Sequence, residues 1–214
     1  MSAGAAPERR APFIAFEGIE GCGKSTQIAR LAARLEAEGR TCHVTREPGG
    51  TPLGEALRRL LLDHESEGMD GWTELFLLAA GRRQHVARLI RPALSAGKTV
   101  IADRFADSSV AYQGGGRELG VEAVERINRI ATAGWMPDFT ILLDLSVAES
   151  ARRVADRPRA EDRMERERAT FHERVRQTYL ELARRRGAAY LVLDAAQDEE
   201  ALAEEIAARV AVLY

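Results

Sequence analysis

The stretch Pro12–Arg30 reads PFIAFEGIEGCGKSTQIAR, and the rest of the chain is organised around it. Phe13, Ile14, Ala15 and Phe16 form an apolar run. It is long enough for a strand buried on both faces and too short for a helix. Gly18-Ile19-Glu20-Gly21-Cys22-Gly23-Lys24-Ser25 follows, a full match to the phosphate-binding loop pattern. Ile28, Leu31, Ala32 and Leu35 then recur at helical spacing, with Gly39 placed to end that helix. Strand, glycine loop, helix is the context the pattern requires. Glycines let successive backbone N–H groups turn inward onto phosphate oxygens, and the helix N-terminus adds partial positive charge. Lys24 supplies a full charge near the β- and γ-phosphates, and the Ser25 hydroxyl is offered to Mg²⁺. The bland alternative is a glycine-rich turn with an incidental lysine. Composition speaks against it, because Lys24 and Lys98 are the only lysines in a chain otherwise built with arginine. A lysine at the phosphate position is the compact point charge that role needs.

Length and composition set bounds. At 214 residues, 45% hydrophobic and 30% charged, the chain suits one soluble globular domain. A net charge of −2 gives nothing global to attract nucleic acid or a membrane surface. No apolar run approaches the ~20 residues of a membrane span. Residues 1–11 are small, polar and basic, which predicts a disordered leader rather than a secretory signal, with the domain spanning 12–214. Cys22 and Cys42 do not make a disulfide framework, and a reducing cytoplasm is the simplest setting.

Short apolar runs alternate with long amphipathic segments, which predicts βαβ units and a parallel sheet. Strands are expected at Thr41–Thr45, Val100–Ala102, Phe139–Leu143 and Tyr190–Leu193, besides the first. Thr51 and Pro52 read as the cap and first residue of a helix. Longer helices are expected from Trp72 to Ala96, from Val121 to Thr132, from Ala148, and from Glu165 to Gly187. The dense charge and Pro158 of residues 156–163 interrupt the periodicity.

Several residue sets point to chemistry. Asp103 ends an apolar strand, where a phosphate-loop protein places a carboxylate that holds Mg²⁺. Arg104 beside it is a bidentate phosphate clamp. Glu20 puts a negative charge near the phosphates, a cost unless it meets Mg²⁺, an arginine or a sugar hydroxyl. The loop Arg46–Thr51 lies at the carboxyl end of the second strand, where open α/β sheets bind ligands. Arg153, Arg157, Arg159 and Arg163 form a charged segment able to close as a lid over a transferring phosphoryl group; a solvated helix face is the alternative. His43, His64, His85 and His172 show no metal spacing and read as surface or partly buried. Trp72 and Trp135 read as core or interface.

Four blocks in this order and spacing resemble the thymidylate kinase family: FEGIEGCGKSTQ, TREPGGTPLGEALR, the RRQH helix with RPAL, and DRFADSSVAYQGGG. The resemblance covers Phe13 to about Val210. It implies a P-loop nucleoside monophosphate kinase fold with five parallel strands in the order 2-3-1-4-5, a homodimer, ATP as donor, Mg²⁺ as cofactor and dTMP as acceptor. It implies that Gly18, Ile19, Glu20, Gly21, Cys22, Gly23, Lys24, Ser25 and Thr26 bind ATP, with Asp194, Ala195 and Gln197 near the adenine. On the acceptor side it implies Glu20, Arg46, Pro48, Leu78, Arg82, Arg104, Ser108, Ser109, Tyr112 and Gln113. Within these, Arg104 clamps the dTMP phosphate and Arg82 bonds the thymine, with Ser109 near the base edge. Lys24, Arg104 and Glu20 are the catalytic set, joined by a lid arginine, Arg157 or Arg159, because the phosphate loop itself carries none. Ser25 and Asp103 are the metal residues. The family often has a phenylalanine one turn before the helix arginine; this chain has Leu78 there and Phe76 nearby. If residues 108–113 are helical, Ser109 and Tyr112 share a face, and the Tyr112 ring lies against the deoxyribose. Two other readings are a kinase for another nucleoside or nucleotide, and a nucleotide-sensing switch. The second anion-binding loop speaks against the switch.

Overall fold

The computed structural model describes residues 11–156 and 162–214. Among these, five strands form one parallel sheet, β1 Phe13–Glu17, β2 Cys42–Arg46, β3 Thr99–Asp103, β4 Phe139–Asp144 and β5 Tyr190–Asp194. Their order is β2-β3-β1-β4-β5, as expected. The first strand is therefore central, with Phe13 opposite Val100 on one side and Ile14 opposite Phe139 on the other. Successive side chains of a strand face opposite ways, so the run FIAF feeds two cores. Ile14 and Phe16 pack with Ile28, Leu31 and Leu35 of α1 (Lys24–Ala37), with Val175 and Tyr179 of α8 (Ala169–Arg186), and with Ile206 of α9 (Glu199–Ala211). Phe13 and Ala15 pack with Val86, Ile90, Leu94, Phe105 and Trp135 on the other face.

The remaining helices carry the site. Thr51 caps α2 (Pro52–Leu62) by accepting the Gly54 N–H, with Pro52 in the first turn. Asp70 caps α3 (Gly71–His85), which runs through a π-helical stretch, Val86–Ile90, into α4 (Arg91–Ser95). Pro92 cannot donate to Arg88 and would clash with its carbonyl, and the wider turn lies just upstream of it. The expected single helix over 72–96 is thus continuous but locally unwound. A second π-helical stretch, Val110–Gly116, extends α5 (Ala106–Ser109). Gly115 is required there, because a Cβ would lie 2.0 Å from the Thr178 hydroxyl of α8. The helices α6 (Val121–Thr132) and α7 (Val147–Ala155) complete the fold.

Two expectations need correction. The helix expected from Glu165 begins at Ala169, because Asp162 folds the preceding residues into a turn by accepting the N–H groups of Met164 and Glu165. His85 is not at the surface but fully buried, its ring bonded to Glu47 Oε1 and Thr45 Oγ1. Residues 1–10, most of the expected leader, lie outside the described residues, whereas Ala11 is buried.

Candidate active site

The carboxyl ends of β1, β2 and β3 open into two adjoining pockets. The phosphate loop leaves β1 at Gly18, whose φ of 136° and close approach exclude a side chain: a Cβ would lie 2.4 Å from the Leu143 carbonyl oxygen. Gly23, in the left-handed region, then starts α1. Lys24 is buried, and its Nζ donates to the Gly18 and Ile19 carbonyls at 3.0 Å each. Around it, one pocket is lined by Gly21, Gly23, Ser25, Thr26, Asp103 and Arg153, among others. Cys22 and Ile19 are not at this surface; both are buried in the core behind the loop. Ser25 is exposed, and Asp103 carries a buried Oδ1 without a hydrogen-bond partner. Arg153 donates to the Gly21 and Ala195 carbonyls, tying the loop to the turn after β5. Asp194 braces that turn by accepting the Ala196 N–H, and Gln197 is exposed beside it.

The second pocket lies between α2, α3, α5 and the turn at residues 162–164. Its lining includes Pro48, Leu78, Arg82, Ser108, Ser109, Tyr112 and Gln113, all predicted from the sequence. Phe76 is instead 57% exposed, in contact with Trp72 at the surface, so Leu78 is the α3 apolar residue facing the pocket. Arg46 lies in the loop-side pocket, paired with Glu55. Glu20, Glu47, Arg58, Arg104 and Asp162 line both pockets and form the boundary between them.

Arg104 dominates that boundary. Its guanidinium pairs with Glu20 Oε1 at 2.6 Å and donates to the hydroxyls of Tyr112, Tyr179 and Ser108. Tyr112 donates to the other Glu20 oxygen at 2.7 Å. Burial pushes the Glu20 carboxyl up, but Arg104, Lys24 and the Tyr112 hydroxyl outweigh it and hold the group at about 2. Of the partners this acid required, the structure supplies the arginine. Behind Arg104, Glu17 is fully buried, and burial and then Asp107 raise its carboxyl to about 7.

Two buried ion-pair sets shape the second pocket. Glu47 takes Arg82 Nε at 2.8 Å and the His85 ring at 2.9 Å. The other Arg82 nitrogens donate to Asn128 Oδ1, the Phe105 carbonyl and Ser109 Oγ. Glu74 takes Arg117, Gln113 Nε2 and Arg163. Burial pushes the Glu74 carboxyl up, and Arg117 with the hydrogen bonds more than offsets it. Gln113 thereby presents a buried Oε1 that has no partner. Arg163 is 7% exposed and also donates to the Leu61 carbonyl, so it is a fixed wall residue rather than a free lid cation. Arg157 and Arg159 lie outside the described residues.

Sequence reasoning missed Glu47, Arg58, Glu74 and Asp162 as pocket-lining residues, and it read Arg163 as a lid cation rather than a wall residue. Arg58 donates to the Pro48 carbonyl, and burial, then Arg46, push its guanidinium below its ordinary value. A desolvated cation of this kind is stabilised by a bound anion. The one sequence signal for it was its place on the pocket side of α2, seven residues beyond Thr51.

A phosphate loop on the central strand of a 2-3-1-4-5 parallel sheet, with a second, arginine-bearing pocket beside it, defines a P-loop kinase of the nucleoside monophosphate kinase class. A sequence profile described as thymidylate kinase matches residues 16–206, and the chain belongs to that family. It is 50% identical over 200 residues to the thymidylate kinase of Solidesulfovibrio magneticus, covering 91% of this chain and 96% of the relative. It is 52% identical over 189 residues to that of Desulfosudis oleivorans (86% and 88%), and 49% identical over 202 residues to that of Desulforudis audaxviator (94% and 90%).

Proposed function

We propose that this protein transfers the γ-phosphate of ATP to dTMP, giving ADP and dTDP. The observation that carries the reading is the shared wall of the two pockets, in which Arg58 and Arg104 face both. Two phosphate groups brought to that wall from opposite sides would be screened from each other by positive charge. ATP phosphates lie along the loop at Lys24 and Ser25, and the dTMP phosphate lies at Arg104 and Arg58. A phosphate oxygen of dTMP attacks the γ-phosphorus, forming one P–O bond, and the bond to the β-phosphate oxygen breaks to release ADP. Lys24 exchanges its loop carbonyls for β- and γ-oxygens as negative charge moves onto ADP. Glu20, held ionised, keeps Arg104 and Tyr112 in place from the loop side.

Mg²⁺ fits the residues present. A hard cation takes few protein oxygens and several from phosphate and water. The buried, unpartnered Asp103 oxygen and the exposed Ser25 hydroxyl line the pocket beside the loop. Those two residues would hold the ion, directly or through water, and the ion would supply charge neutralisation on the phosphates.

For the base, the unpartnered Gln113 Oε1 is an acceptor suited to the N3–H of thymine. Arg82, with four nitrogen contacts already made to protein, keeps one N–H for the ring. Ser109 accepts from Arg82 and so orients that group, and Tyr112 closes the pocket on the sugar side. Asp194, Ala195 and Gln197 form the adenine side. Arg157 or Arg159 delivers the lid charge to the transferring group. The protein works as a cytoplasmic homodimer; Leu53 and Leu60 on α2 and Phe76 on α3 are exposed apolar side chains that a second copy would cover. No helix among the described residues is long and apolar enough to cross a membrane.

The test is ADP release with ATP alone and then with dTMP, dUMP, dCMP or dAMP. Release should depend on a monophosphate, with kcat/KM highest for dTMP. Hydrolysis of ATP alone at the same rate would instead support a switch.

A further inference from the structure

We infer that Glu17 is a positioning residue for the acceptor phosphate, acting by locking the backbone and side chain of Arg104. The inference rests on the reading of Arg104 as the clamp for that phosphate. Glu17 lines neither pocket and is 0% exposed, so it does not meet a substrate.

Among the described residues, Arg104 is one of three non-glycine residues with positive φ, at 70°. A side-chain-bearing residue adopts this conformation only where its surroundings over-determine it. Here the two peptide groups flanking its Cα are both tied to the end of β1. The Arg104 N–H donates to the Phe16 carbonyl at 2.9 Å, and the Phe105 N–H donates to Glu17 Oε1 at 2.9 Å. The first bond continues ordinary sheet pairing. The second depends on one side chain, and without it the buried Phe105 N–H loses its partner and the peptide is free to rotate.

The other Glu17 oxygen holds the side chain. Oε2 accepts from Ser108 Oγ at 2.6 Å and from Tyr179 OH at 2.8 Å. The same two hydroxyls accept from Arg104 Nη1, at 3.3 Å and 3.1 Å. Each hydroxyl is thus placed to donate to the acid and accept from the arginine, and the two hydroxyl oxygens also lie 2.9 Å from each other. One buried acid therefore braces the backbone of Arg104 and, through two hydroxyls, its Nη1, while Glu20 and Tyr112 hold Nη2 from the loop side.

The test compares dTMP with thymidine, which lacks the phosphate, by titration calorimetry on the parent, Glu17→Gln, Arg104→Ala and the double variant. Glu17→Gln keeps the size but turns one acceptor into a donor. We expect it to weaken dTMP about tenfold, as for a lost buried hydrogen bond, and to leave thymidine within about twofold. In the Arg104→Ala background it should have no further effect on dTMP. Equal weakening of both ligands, or an undiminished effect without Arg104, would show a merely structural acid and overturn the inference. If Glu17→Gln does not fold, Tyr179→Phe removes one relaying hydroxyl and should show the same selectivity for dTMP; its absence overturns the inference equally. An Arg104→Ala protein that binds dTMP as the parent does overturns the underlying reading instead.

Discussion

On the acceptor side, Arg82, Glu47, Glu74 and Arg163 are nearly out of contact with water and are already bonded to one another or to the backbone. On the donor side, Ser25 is exposed, an Asp103 oxygen has no partner, and Lys24 bonds carbonyls of its own loop. The difference is one of when the partners arrive. The Glu47–Arg82 and Glu74–Arg163 pairs are neutralised within the fold, so that part of the pocket has a set shape before any ligand enters, and shape is what discriminates one base from another. On the proposed reading, donor-side groups would be satisfied by phosphate and metal, so affinity there would be largely electrostatic. Lys24→Ala should therefore remove most turnover, by about 10³-fold or more, while leaving stability and dTMP binding near the parent. Steady-state rates and dTMP calorimetry on the folded variant check this; near-parental activity would mean that the loop does not hold the donor.

The lid arginines sharpen the same contrast. At least one of Arg157→Ala and Arg159→Ala should lower kcat by up to ~10³-fold with little change in dTMP affinity. Two variants with parental kcat would move that charge elsewhere, with Arg153 already at the loop and Arg163 already committed to Glu74. Glu74→Ala tests the opposite half. It leaves Arg163 and Arg117 facing an empty buried site, which should cost about 3–5 kcal/mol of stability in urea unfolding. It should also raise the KM for dTMP while sparing that for ATP, and a change confined to ATP would break the comparison. The smallest effect concerns Tyr112. The parent should prefer dTMP over ribothymidine monophosphate about ten- to a hundredfold, because a 2′-hydroxyl against the ring would be buried unpaired. Tyr112→Ala should narrow that ratio of kcat/KM values by about tenfold. An unchanged ratio, with both substrates weakened alike, would leave Tyr112 as a core aromatic that braces Glu20.

The same division explains what could be read from residues alone. The donor loop is a local object: eight consecutive residues and their flanks specify strand, turn and helix, and all three stand where expected. The acceptor pocket joins Glu47 to Arg82, 35 residues apart, and Glu74 to Arg163, 89 apart. No local pattern marks such pairs. Glu47 sits in a loop and reads as one more acid, and Arg163 sits in a charged run and reads as a lid. The named acceptor residues came through family resemblance, and those the resemblance did not name, Arg58 among them, were missed. His85 was misplaced for the same reason. A histidine beside two arginines on a helix reads as surface or partly buried until the fold brings Glu47 and Thr45 to it.

The central place of β1 bears on how the protein is made. Phe13 is bonded through its N–H to Asp138, 125 residues further on, and its strand has β3 and β4 as neighbours. At about 5–20 residues per second, a ribosome exposes FIAF for several seconds before either neighbour exists. During that interval the most apolar strand of the fold is an unpaired edge, open to wrong pairing and to chaperones. The phosphate loop, written near the start of the chain, reaches its working shape only when Leu143 has arrived to pack against Gly18.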